Sequence, residues 1–205
     1  MSESAQSGPR VRSGRVKWKR FAIVMVPAAV VAATLISLTA KGAIAANISV
    51  SGKEYLVTAD QLSGTGFEQF GSTVPQGNGS QPVAVSAIKS ADLTSLCQAV
   101  SLPGGISLIL HAGAGATPVH ADNLIVDASS LAGDATFHNI AIGQDAGTLN
   151  AVPGAVGSAQ SGQFGEQASD ITIKKLVQNT WLTTAGTFTL PGLSLKVNTS
   201  GGSCP

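Results

Sequence analysis

The 205-residue chain carries a formal net charge of +1, with 11% of its residues charged and 43% hydrophobic. Arg10, Arg12, Arg15, Lys17, Lys19 and Arg20 crowd the first stretch, whereas beyond Ala46 ten acidic residues face five lysines and no arginine. A part so poor in cations has no basic surface with which to neutralise phosphates, which argues against a nucleic-acid partner.

Residues 1–20 are Ser, Gly and basic residues without an apolar period, and read as a disordered cytoplasmic lead. Residues 21–40, FAIVMVPAAVVAATLISLTA, carry no charge. As a helix rising about 1.5 Å per residue, this run spans roughly 30 Å, the thickness of a bilayer's hydrocarbon core. A basic flank stays on the cytoplasmic side during insertion, so the rest of the chain is expected outside. Two fates stay open. The run is longer than the roughly 7 to 15 residues of a secretory h-region, which favours a retained anchor. Yet residues 41–47 form an exit in which Ala43-Ile44-Ala45, followed by Ala46, spells a signal-peptidase site. The expectation is a cell-membrane protein with an extracytoplasmic C-terminal domain, or a secreted one after cleavage between Ala45 and Ala46.

Residues 48–205 are the length of one ordinary domain. Ile48, Val50, Tyr55 and Val57 alternate partially with polar residues, as strands do. Gly64, Gly66 and Gly71 interrupt the pattern, and 71–82, GSTVPQGNGSQP, reads as a loop. Val83 and Val85 resume a strand. Ser90–Val100 is the one place after residue 46 where a weak helical pattern occurs. Ile106, Leu108 and Leu110 alternate with Ser107 and Ile109, a strand buried on at least one side. Residues 112–118 form a second loop, and strands follow at 124–126 and 137–142. From Gly143 to Asp170 small and polar residues form a long connection, functional or mobile. The last strands are expected at 171–173, 176–181, 187–190 and 193–197. Val57, Ala59, Leu62, Gly64 and Phe67 are echoed by Val126, Ala128, Leu131, Gly133 and Phe137, and loosely by Val177, Leu182, Gly186 and Phe188. The fold predicted is mainly β: one extracytoplasmic antiparallel domain, a sandwich or curved sheet of repeated hairpins, after one N-terminal hydrophobic helix.

Cys97 and Cys204 lie in a part expected to fold outside the cytoplasm, where disulfides persist, and their pairing is expected. His111, His120 and His138, even with Asp122, have no recognised metal-ligand spacing, so no metal or cofactor is implied. Asp92, Asp127, Asp134, Asp145 and Asp170 are scattered and spell no calcium loop. Ser86-Ala87-Ile88-Lys89 matches S-x-x-K but lies in strand-like text, and no G-x-S-x-G elbow exists for a hydrolase. Asn47, Asn78 and Asn198 stand in N-x-S/T contexts. Phe67, Phe137, Trp181 and Phe188 are candidates to line an apolar groove, with a packed core as the simpler account.

The segments WKRFAIVMVP, GTGFEQFG, SLCQAV, ADNLIVDASSLAGDATFHNIAIGQDAG, FGEQASDITI and WLTTAGTFTLPGLSLKV, with a near-terminal Cys, run in an order that closely resembles an actinobacterial, chiefly Streptomyces-type, envelope family of unknown function. Its members often carry the automated label "cholesterol esterase" and are often encoded beside a small multi-spanning membrane protein. The resemblance implies a membrane partner and supplies no catalytic residues. The function expected is that of a non-enzymatic envelope protein, structural or lipid-binding, at the outer face of the cytoplasmic membrane. The alternatives are a lipid (cholesteryl) esterase and an assembly module for a multi-spanning partner.

Overall fold

β1 (Tyr55–Gln76) and β2 (Gly79–Thr94) form an antiparallel ladder that begins at Gln61↔Thr94 and ends at Gln76↔Gly79. The computed structural model describes residues 53–76, 79–102, 104–156 and 160–205. The lead, the hydrophobic run and the Ala45–Ala46 junction lie outside the described residues, as do Asn47 and Asn78. Among the described residues no helix is long and apolar enough to cross a membrane.

Of the expected loop over 71–82, residues 71–76 and 79–82 are strand instead. Its prolines misled the reading: Pro75 pairs with Ser80 and Pro82 with Thr73, at the tip of the hairpin. The flanking strands reach only to Phe70 and Ala84, so no neighbour on the outer sides needs the missing N–H groups.

β5 (Val119–His138) pairs with β2, and β7 (Phe164–Thr184) pairs with both β5 and β1. The order β1-β2-β5-β7 therefore returns to β1, and the sheet closes into a four-stranded antiparallel barrel. Sequence reading foresaw antiparallel β structure but not closure. It also missed the start of β7, because residues 164–170 contribute only Ala168 to the main core.

The interior residues explain how such long strands coil tightly enough to close. In β1 the core positions are Val57 and Ala59, then Leu62, then Phe67; in β7 they are Ala168, then Ile171 and Ile173, then Leu176. Alternation by two is broken by steps of three. Four of the breaks contain a residue of positive φ: Gly66, Ser95, Asn123 and Lys175. A left-handed residue turns the strand, so the next inward side chain comes one position late. Neighbours shift at the same level. The pairs Phe67↔Ile88 and Thr65↔Ser90 set Gly66 across from Lys89, and Ile88↔Leu124 with Ser90↔Asp122 sets Asn123 on Lys89's other side. Likewise Ala59↔Leu176 and Gln61↔Lys174 set Lys175 across from Asp60. Register and apolar lining thus survive the bend. At Gly66 glycine is also sterically required, since a Cβ would lie 2.7 Å from the Ala151 carbonyl oxygen.

At one end a three-stranded sheet extends from the barrel. β3 (Leu96–Leu102) follows β2 after the kink at Ser95 and pairs with the start of β1, Leu56↔Ala99. Ser90–Val100, where a weak helical pattern was expected, is instead the end of β2 and most of β3, joined at Ser95. β4 (Ile106–Ala112) pairs with β3, and β9 (Ser194–Asn198) pairs with β4 as an edge. Cys97 and Cys204 are bridged, with Cα atoms 5.8 Å apart, which ties the tail across β3 and β4. The remaining strands are β6 (Ala141–Asp145), an edge on β7, and β8 (Thr187–Thr189), on β5. Between β6 and β7 a 3-10 turn at Ala146–Thr148 opens a loop that covers the outside of the barrel. Ala146 and Leu149 pack there on Phe70, Val83 and Val85.

Candidate functional site

The barrel interior is lined mainly by apolar side chains. Its cavity measures about 30 Å³ and is lined by Leu62, Phe67, Ile88, Leu124, Ile171 and Phe188, among others. That is room for about one water molecule and none for an acyl chain or a sterol. The four aromatic candidates do not share a groove. Phe67 is buried and packs on Phe137 with ring centroids 5.3 Å apart, so two residues equated by the internal echo meet in the core. Phe188 lies at the rim, 37% exposed. Trp181 packs instead with the outer cluster around Phe70 and Leu149.

A more open apolar surface lies on the extension. Partners in an antiparallel ladder point to the same side. The pairs Gln98↔Val57, Gln98↔Leu110, Val100↔Leu108, Leu110↔Leu195 and Leu108↔Val197 therefore place Leu108, Leu110, Leu195 and Val197 on the face that continues the barrel interior. Leu195 and Val197 are 57% and 63% exposed. The other face carries Cys97, Ala99, Ser107 and Ile109, covered by the bridged tail, with Gly202 close to Ile109 and Ser107. In β4 the better-buried side is therefore that of Ser107 and Ile109, the tail burying them more deeply than Ile106, Leu108 and Leu110. Leu193, Leu195 and Val197 were readable as an alternating strand. That their face is left open was not, because burial depends on the tail's path.

The polar candidates form no nucleophile–base pair. Both ring nitrogens of His120 are occupied: Nδ1 lies 2.8 Å from Asp92 Oδ1 and Nε2 3.3 Å from Asp122 Oδ1. The hydrogen bond to Asp92, assisted by Asp122, raises the imidazole's pKa and favours the cation, a clamp across β2 and β5. His138 pairs across strands with Asp170. The Ser169 hydroxyl nearby lies 3.1 Å from the backbone carbonyl of His138 and 2.9 Å from Asp170 Oδ2, so it meets the backbone of His138 and not the ring. His111 Nε2 approaches Cys97 Sγ at 3.9 Å, a sulfur already in the bridge. Ser86 accepts a hydrogen bond from Gln69 Nε2 at 2.7 Å and lines the interior cavity, while Lys89 sits at a kink and is exposed. Among the described residues no group of three His, Cys, Asp or Glu side chains is placed to hold a metal ion.

Sequence reading passed over Glu68. On β1 it points outward and is fully buried beneath the covering loop. Oε1 accepts the Val152 N–H at 2.7 Å, and Oε2 has no partner. Burial pushes its carboxyl above the ordinary glutamate range, against the smaller opposing effect of the backbone donors. A raised folded-state pKa means that this group's stabilisation is complete below the unfolded value of 4.5 and is lost as pH rises through the raised one. Glu68→Gln keeps the acceptor for Val152 and removes the buried charge. It is expected to be more stable than the parent by about 1 kcal/mol near neutral pH, with the gap closing on acidification, read by urea unfolding along a pH series.

No curated protein and no solved structure matches this chain significantly. Residues 51–205 match the profile of DUF6230, a family of unknown function, and with the strands and the bridge all inside that span, the chain belongs to that family.

Proposed function

We propose that this protein is a non-enzymatic component of the cell envelope, whose β domain is held at the outer face of the cytoplasmic membrane by the hydrophobic run 21–40. The observation that carries the reading is the Cys97–Cys204 bridge, which joins residues 107 apart and is of a kind that oxidising compartments preserve and the cytosol disfavours. The one-sided cations before residue 21 support the same orientation. The resemblance to actinobacterial envelope proteins agrees with it. So would a multi-spanning membrane partner, for which the β domain would be an assembly module.

The small interior cavity favours a surface over the barrel interior as the place for any lipid, and the label "cholesterol esterase" gains nothing from His111, His120 or His138 as they are placed. What supports a binding role is the apolar face that carries Leu195 and Val197. Alkylation of the protein in intact cells tests the placement. Cys97 and Cys204 should resist a membrane-permeant maleimide until a reductant is added, and immediate labelling of both would sink it. The purified protein should leave short- and long-chain acyl esters unhydrolysed; serine-dependent turnover would restore the esterase.

A further inference from the structure

We propose that the open face of the β3–β4–β9 extension rests on the lipid surface of the membrane, which deepens, and rests on, the envelope placement proposed above. The face continues the barrel interior through Val100, Leu108 and Leu110 to Leu195 and Val197, with Gln98 as a polar member. Nothing among the described residues covers its outer part. The C-terminal tail is committed to the other face by the Cys97–Cys204 bond and by Gly202, where an added Cβ would lie 3.0 Å from Ile109 and 3.2 Å from the Ser107 hydroxyl.

Where the chain enters this domain selects the occupant. β1 begins at Tyr55 and pairs at once with β3, Leu56↔Ala99, so the extension is built onto the first residues after the linker. Twelve residues, 41–52, separate the apolar run from Lys53. Fully extended they span about 40 Å, and less when relaxed, so an anchored run keeps this end of the domain near the bilayer. A second copy is a poorer fit. Three strands of seven residues or fewer present roughly 14 Å by 24 Å, about 350 Å², against the roughly 800 Å² per partner of a standard interface. A tethered domain needs far less, because the linker holds the face at high effective concentration over the lipid. A shallow apolar face with aliphatic side chains is suited to the boundary between headgroups and acyl chains.

The full chain, reconstituted in phosphatidylcholine–phosphatidylglycerol vesicles, tests this with a photo-crosslinking benzoylphenylalanine at Leu195, at Val197, or at Thr172 on the polar outside of the barrel. Phospholipid adducts are expected at Leu195 and Val197 and not at Thr172, and Leu195→Glu should abolish the adduct at Val197. A band of twice the chain's mass from Leu195 would assign the face to a second copy and overturn the proposal; absence of any adduct there, or equal adducts at Thr172, would do the same. Samples from cells, run without reductant, keep the two claims apart. An intact Cys97–Cys204 bridge with no lipid adduct overturns the docking alone, whereas reduced cysteines overturn the envelope placement itself.

Discussion

Replacing Cys97 and Cys204 together by alanine is expected to be the most damaging change short of deleting a strand. The bridge closes a loop with a sequence separation of 107 residues. In the chain-entropy model a loop near 100 residues is worth up to about 4.7 kcal/mol, by restricting the unfolded chain. A second loss adds to this in the folded state. β9 is a five-residue edge strand held on one side by β4, and the bridged tail is what closes the layer over Ser107 and Ile109. Without the bond the tail and β9 fray first, and hydrogen exchange at residues 194–198 should rise before the barrel itself opens. Urea unfolding with and without dithiothreitol measures the main effect. A change well below 1 kcal/mol would show that the extension holds its place without the bridge.

Phe67→Ala is expected to cost about 3–5 kcal/mol, the range for truncating a buried phenylalanine. For a domain of this size that lowers the melting temperature by roughly 10 °C. Phe67 is 2% exposed, packs on Phe137, and lines the cavity of about 30 Å³, so truncation enlarges a void already present at the barrel's centre. Its neighbours belong to four hydrogen-bonded strands of a closed ring and have little freedom to collapse inward. Phe188→Ala is the internal control. That side chain is 37% exposed at the rim and should lose about 1 kcal/mol, because much of its surface already meets water. Thermal melts of the two variants side by side check the contrast; equal losses would mean that the rim and the centre are packed alike.

What the sequence announced and what it concealed follow from the same geometry. Ile171 and Ile173, and Leu124 and Val126, read as strand because each pair falls on one side of a kink, where alternation holds. Across a kink the rule fails: the step from Ile173 to Leu176 breaks it at Lys175, a residue with no helix-breaking or turn-forming signature. The pairing of Cys97 with Cys204 needed only the compartment argument, since two cysteines allow one partner. Closure was not visible, because it depends on β7 pairing with β1 and β5 at once, and neither edge marks its partner in composition. Glu68 was passed over since a charged residue in a strand ordinarily faces solvent, and only the loop carrying Val152 removes that solvent.

The shared kinks couple the lengths of strands that lie far apart in the chain. Losing one residue between Asp60 and Gly66 would carry Phe67 to the outer surface unless β2 and β7, whose breaks at Lys89 and Lys175 stand level with those two, were shortened in step. Homologues should therefore differ freely in the turns at 104–105 and 115–117 but hardly at all in the spacing from 60 to 66 or from 89 to 95. Insertions and deletions, more than substitutions, are what this architecture rejects.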